Sequence, residues 1–437
     1  MDRTLPRALR PFLVGQFRIL TIGLALSLFG DGVWVVSMVW QVIELGGGPT
    51  NLSLVATASS IGLVGAVLLG GAVADRIPQK RILMAVETVK GVGIGTGAVL
   101  ALTGNIEVWH LAALALLFGI ADGFFYPAYS ALLPTVLPPE QLLAANGVEG
   151  VLRPAVMQAA GPAAASTAIA LASPGAAFAV TSISQLLAVV VLALMRSRPI
   201  RRDAASSRHP LRALFEDVRE GFSYMVRTPW LLGTLLFALL MVLLLMGPIE
   251  VLLPFAVKDQ TGGGAGAFAL ALAAFGIGGA AGSITVASVR LPRRYLTVMN
   301  AVWGLSCIPL VIIGYTTHLW VMVVALLLVG FGFSAASVIW GTLLQRRVPP
   351  ELLGRVSSLD FFVSLAFMPI SMAVAGPVGA TIGIAPAFVV AGTVPLLLAV
   401  AAILIFRMRS DEIRNPLDLT PLRDDDSQAA PGEGTSR

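Results

Sequence analysis

The sequence has 437 residues, of which 57% are hydrophobic and only 12% charged, and its mean hydropathy is +0.86. No soluble domain is built from that mixture; it describes a chain that crosses a membrane many times. The formal charge of +5 does not point to nucleic acid, because the bases gather at the ends of apolar runs.

Arg3, Arg7, Arg10 and Arg18 precede the first apolar run. That run is too long for a signal peptide, contains Asp31 and lacks a small-x-small cleavage site. A helix needs roughly 20 apolar residues to cross a bilayer. Twelve such runs are legible, at about 18–44, 51–75, 81–103, 108–134, 140–170 and 175–196, then 229–256, 265–289, 295–315, 319–345, 356–383 and 387–407. The fold class is therefore an all-α membrane protein. Its expected organisation is an N-terminal six-helix bundle (1–196), a linker (197–228), a C-terminal six-helix bundle (229–409) and a disordered acidic tail (410–437). Within the linker, Leu211, Leu214, Phe215, Val218 and Phe222 fall at helical spacing, as in an amphipathic helix lying on a membrane surface.

An ionisable group costs at least about 2.5–3.5 kcal/mol at the centre of a membrane helix, so each one asks for a reason. Asp31 stands mid-way along the first run, in Phe29-Gly30-Asp31-Gly32-Val33-Trp34, with Met38 a turn further on. The turn after the second run reads Gly71-Ala-Val-Ala-Asp75-Arg76-Ile-Pro78-Gln-Lys80-Arg81. Glu87 and Lys90 lie three apart on the third run; Glu149 and Arg153 lie four apart on the fifth. Such spacings put each pair on one helix face, where it can neutralise itself. Asp122, in the fourth run one turn before Tyr126, has no base on its own turn, and neither has Asp31. The second half is poorer in charge. Glu250 and Asp360 read as edge residues, and Met246, Trp303, Phe331, Phe333, Trp340 and Phe361 as apolar surface.

The halves are repeats. Pro138-Pro139-Glu140 recurs as Pro349-Pro350-Glu351, 211 residues later, and Gly71 and Gly65 recur at the same offset as Gly282 and Gly276. Gly161-Pro162 matches Gly376-Pro377 with a slip of one helical turn. Parallel six-helix repeats place a transport site between the halves. The loops after even-numbered runs hold Arg76, Lys80, Arg81, Arg293, Arg294, Arg346 and Arg347, while the opposite loops hold Lys258, which puts both termini in the cytoplasm.

The 71–81 turn resembles the loop motif G-x-x-x-D-R-x-G-R-R of the major facilitator superfamily, with Pro78 in place of a glycine. Gly30-Asp31, Pro127-Ala128 and Ala145-Asn146 resemble the drug:proton antiporter branch that includes macrolide-efflux, Tap-type and enterobactin-exporter proteins. Of the antiporter motif on helix five, G-x₈-G-x₃-G-P-x₂-G-G, Gly161 and Pro162 remain; Val148, Met157, Ala165 and Ser166 fill its other glycine positions. The resemblance implies a gate at Gly71, Asp75, Arg76, Lys80 and Arg81, with Asp75 meeting the eleventh helix. It implies a central cavity lined by helices one and four and, in its outer part, by helix five, with helix three outside it. The expected cavity residues are then Asp31, Trp34, Met38, Asp122, Tyr126, Glu149, Arg153, Met246, Phe333 and Trp340. Asp31, Asp122, Glu149 and Arg153 are the expected proton-coupling groups, and Glu87 with Lys90 an insertion pair only.

An enzyme would need a nucleophile–base pair or a metal cluster. His110, His209 and His318 fall in or beside loops and Cys307 stands alone, so catalytic and metal sites are not expected. No P-loop is present, so the proton gradient, with no cofactor, is the expected energy source. The expected function is a monomeric secondary transporter of the inner (plasma) membrane that exports drugs or small amphipathic metabolites by alternating access. The alternatives are a proton-coupled importer of a small polar nutrient and a transport-dead membrane sensor.

Overall fold

The computed structural model describes residues 7–74, 76–196, 210–289 and 291–417. After a 3-10 turn at Arg7–Leu13, the first half comprises α1 (Gly15–Glu44), α2 (Pro49–Ala74), α3 (Gln79–Leu102) and α4 (Val108–Val136). A fifth span follows in three pieces: α5 (Pro139–Leu152), a π-helical segment (Arg153–Ala160) and α6 (Gly161–Leu171); the sixth span is α7 (Pro174–Ala193). After α8 (Pro210–Arg227), the seventh span runs through α9 (Pro229–Gly247), a π-helical Pro248–Leu252, α10 (Leu253–Phe255) and a π-helical Ala256–Gln260. Then come α11 (Ala265–Ser288), α12 (Tyr295–Ser306) with α13 (Pro309–Tyr315), α14 (Leu319–Arg347), α15 (Pro350–Ala366) with α16 (Met368–Thr381), α17 (Ile384–Ile405) and α18 (Met408–Arg414).

Helices are the only open-ended way to satisfy every backbone group in lipid. Their limits follow from local chemistry: proline occupies the first turn of α5, α7, α9 and α15, and Ser173 and Glu107 cap α7 and α4. Eleven helices are long and apolar enough to cross a membrane among the described residues. The twelfth expected span, the fifth, falls short by that measure. Pro154 and Pro162 interrupt its ladder, and Glu149 and Arg153 lower its hydropathy. π-segments of this kind cluster at functional sites.

Small residues let the helices close on one another. In the first bundle α2 packs along α4, where a Cβ on Gly119 would overlap the Ser59 carbonyl. In the second, α11 packs along α14, and Gly330, the counterpart of Gly119 at the 211-residue offset, closes on the Phe275 carbonyl. Gly119→Val should therefore force α2 and α4 apart, since overpacking against backbone costs about 1–3 kcal/mol or more. The monodisperse fraction in size-exclusion chromatography should fall several-fold, while Gly65→Val, facing open space, should leave it unchanged.

The bundles meet tightly at the ends away from the chain termini. There the Ser53 hydroxyl of α2 donates to the Met372 carbonyl of α16, Gly376 abuts the Pro49 carbonyl, and Trp40 stacks on Phe268 with ring centroids 5.9 Å apart. Nearer the termini the bundles part. A cleft of about 380 Å³ opens between α5 with its π-segment on one side and α11 and α14 on the other.

One expectation for the flanking segments is revised. Residues 410–417 are not part of a disordered tail: α18 docks onto the second bundle. Glu412 is buried and accepts from the Leu296 and Thr297 amides at 3.1 and 3.2 Å, capping α12, while Arg347 pairs with Asp411 at 2.5 Å. The linker helix is present as α8, with Met225 buried and Phe222 exposed; the side chains of Leu211, Leu214, Phe215 and Val218, and residues 418–437, lie outside the described set.

Candidate functional site

The spacing of Glu87 and Lys90 places them on one face of α3, and that face is the buried one, continuing through Leu83, Val86, Gly91 and Ile94. Instead of closing on each other, the two side chains reach outward to other helices. Lys90 Nζ lies 3.1 Å from Asp31 Oδ1 on α1 and pairs also with Asp122 Oδ1 on α4. It sits 4.2 Å from the centroid of the Phe118 ring, one turn before Asp122. Gln185 of α7 donates to Asp31 Oδ1 at 2.9 Å, and Ser27 of α1 donates to Glu87 Oε1 at 2.7 Å. The Lys90 side chain is 0% exposed, Asp31 12% and Asp122 25%, so the network opens to its surroundings mainly at Asp122.

This corrects two readings of the sequence. Asp31 and Asp122 are not unpaired: their base comes from the third helix, which was expected to stand apart. Glu87 and Lys90 are not a self-contained insertion pair. The residues that sequence reasoning missed are Lys90, Glu87 and Gln185. A signal for Lys90 existed in its place near the midpoint of α3, at a depth where a base without an acid would be untenable.

Glu149 and Arg153 do pair on their own helix, at 2.8 Å, and Arg153 also donates to the Tyr126 hydroxyl at 2.9 Å. Both line the cleft. Tyr126 lies one turn beyond Asp122 on α4, so it links the cleft wall to the buried network. Trp34, expected in the cavity, is instead packed: it is buried and stacks on Phe118 at 5.4 Å, filling the core between α1 and α4. Met38, Met246 and Phe333 pack partly buried against the same core. Trp340 donates to Asp360 Oδ2 at 3.1 Å. Gly161 meets α1 at Gly32 and Phe29, the close approach that the glycine of a Gly-Pro step permits, and Pro162 is buried beside it.

Of the loop motif, Lys80 donates to the carbonyls of Ala193 and Met195, at 2.9 and 2.5 Å, closing the C-terminal end of α7. Gly71 is partly buried, and Arg76 and Arg81 are exposed. Asp75 lies outside the described residues.

Residues 7–426 match the family model described as transmembrane secretion effector. Among curated proteins the chain is similar to the multidrug efflux pump Tap of Mycolicibacterium fortuitum, 27% identical over 91% of this chain and 96% of that one. It is also similar to macrolide efflux protein A of Streptococcus pyogenes, 22% identical over 91% of this chain and 98% of the relative. Among solved structures, the nucleoside transporter NupG superposes with a TM-score of 0.71 at 13% identity, covering 89% of this chain and 99% of that one. A POT family transporter in complex with 5-aminolevulinic acid superposes with a TM-score of 0.66, also at 13% identity, covering 90% and 95%. At such identities the structural likeness concerns the fold.

Proposed function

The chain belongs to the transmembrane secretion effector family of major facilitator transporters, and from that premise we propose that it expels drugs or small amphipathic metabolites in exchange for protons. The efflux names of its relatives support the direction. The observation that carries proton exchange is the network between α1, α3 and α4. Three carboxyls, Asp31, Asp122 and Glu87, gather around one buried base, Lys90. Burying so much negative charge is costly, so the cluster is suited to hold an exchangeable proton. Asp122, the most exposed member, is the entry point.

The proposed cycle uses the two junctions between bundles. With the cleft open on the terminal side, which the Lys/Arg bias assigns to the cytoplasm of a plasma-membrane protein, substrate enters between α5 and α11. The protonated network gives up its proton there, and Lys90 then ties Asp31 to Asp122 and draws α1, α3 and α4 together. On the other face the Ser53–Met372 and Trp40–Phe268 contacts part, substrate leaves, and a proton entering at Asp122 loosens the Lys90 tie for the return. One chain supplies both bundles, so a monomer suffices. Proton and substrate then oppose each other, each lowering the other's affinity by the same factor.

The test is transport of a fluorescent cation such as ethidium in everted membrane vesicles with an imposed pH gradient. An acidic lumen should drive several-fold accumulation over vesicles lacking the protein, and collapsing the gradient should abolish it. Gradient-driven exit from the lumen would make the protein an importer.

A further inference from the structure

We propose that Asp360, seated against Trp340, is the counter-charge that receives a cationic substrate, a lipophilic ammonium or phosphonium ion, in the second bundle. The inference rests on the transport reading above and names the substrate class it serves.

The argument begins with the repeat. At the 211-residue offset Asp360 corresponds to Glu149, Trp340 to Tyr129 and Ser364 to Arg153. In the first bundle the acid carries its own cation, because Arg153 pairs with Glu149 from the next turn of the helix. In the second bundle that position holds Ser364, whose hydroxyl hydrogen-bonds the Asp360 carboxylate but brings no charge, and among the described residues no base pairs with Asp360. One of its oxygens, Oδ2, accepts from Trp340. The other, Oδ1, is shielded from solvent and no hydrogen-bond donor reaches it. A shielded carboxylate oxygen with an empty acceptor position is costly unless a donor or a cation comes to it.

The surroundings suit a cation with apolar bulk. Trp340 lies 6.1 Å from Trp230 and 6.4 Å from Trp303, centroid to centroid, so the indole beside the acid is backed by a wall of two buried ones. Ring faces attract cations, and this wall already holds one: the Arg347 guanidinium carbon is 4.5 Å from the Trp230 centroid. The placement suits a substrate as well. Glu149 lines the cleft between the bundles, and the pseudo-two-fold relation puts Asp360 on the matching inter-bundle surface, where α15 meets α2 of the other half. The division of labour is then asymmetric: the first bundle gathers its acids around Lys90 and handles the proton, and the second offers at Asp360 an acid that lacks its own base.

The experiment is equilibrium binding of tetraphenylphosphonium to the purified full-length protein in detergent, beside a neutral apolar dye, N-phenyl-1-naphthylamine. Asp360→Asn should weaken tetraphenylphosphonium at least tenfold and leave the neutral dye unchanged. Ser364→Arg, which installs the first bundle's internal cation, should do the same. Thermal melting of both variants should match the wild type, which separates lost binding from lost fold. Wild-type affinity for tetraphenylphosphonium in both variants would overturn the proposal, as would a wild type that ignores the cation. Because no gradient is used, a failure of proton coupling leaves this result standing, and a failure here leaves gradient-driven transport intact.

Discussion

Lys90→Met should abolish gradient-driven transport and destabilise the protein by about 3–5 kcal/mol, the usual cost of removing one partner from a buried ion pair. The wild-type ammonium has no contact with solvent and lies between two carboxylates, with a third on the preceding turn of its own helix. Methionine fills nearly the same volume, so the loss is electrostatic rather than a cavity. That distinction is testable in the same protein. Adding Asp31→Asn and Asp122→Asn to Lys90→Met neutralises the two acids that faced the ammonium and should recover most of the melting temperature, because a neutral polar set is cheaper to bury than unpaired ions. It should not recover transport, since the Asp31–Lys90–Asp122 tie that couples the proton to the helices is gone. Melting curves in detergent and the vesicle assay read the two effects separately. Equal melting of Lys90→Met and wild type would mean that Lys90 does not neutralise the acids.

Asp31→Asn should lose coupling as well but keep a sound fold. The amide oxygen can still accept from Gln185, whose bond to Asp31 is 2.9 Å long, and Lys90 keeps Asp122. The expected stability loss is that of weakening a charge-assisted hydrogen bond, about 1 kcal/mol. Coupling free energies between two ligands run about 1–3 kcal/mol, so losing this one should remove a proton dependence of substrate affinity of about 5- to 150-fold, and gradient-driven transport with it. Passive exchange of substrate down its own gradient should persist. Asp122→Asn should behave alike, because it too removes one of the two acids that Lys90 ties together. Intact driven transport in Asp31→Asn would shift the proton site to Asp122 or Glu87.

Much of this was legible in the sequence. The spans follow from apolar runs, the pseudo-symmetry from Pro138-Pro139-Glu140 and its copy, and the Glu149–Arg153 pair from its spacing of four. What stayed hidden was contact between helices. A spacing of three correctly put Glu87 and Lys90 on one face, but periodicity says nothing about which helix that face meets, and the partners proved to be Asp31, Asp122 and Ser27 on α1 and α4. Trp34 shows the same limit: an aromatic beside a charged residue reads as cavity lining, and only its stack on Phe118 shows it to be packing. Asp360 was passed over because it looked like the edge of a span; its missing partner emerges only when the two halves are compared position by position. The break in the fifth span, read as one run over 140–170, was not expected; Pro154 and Pro162 account for it once the π-helical segment is seen.

The central claim is that the Asp31–Lys90–Asp122 network gives up a proton when a cation binds. The direct measurement is proton release into lightly buffered detergent solution, read with a pH indicator as ethidium is titrated into the purified protein. The account predicts release of about one proton per bound cation in the wild type, and little or none in the Asp31→Asn/Asp122→Asn double variant. Equal release from both proteins would place the exchanging proton elsewhere and contradict the account.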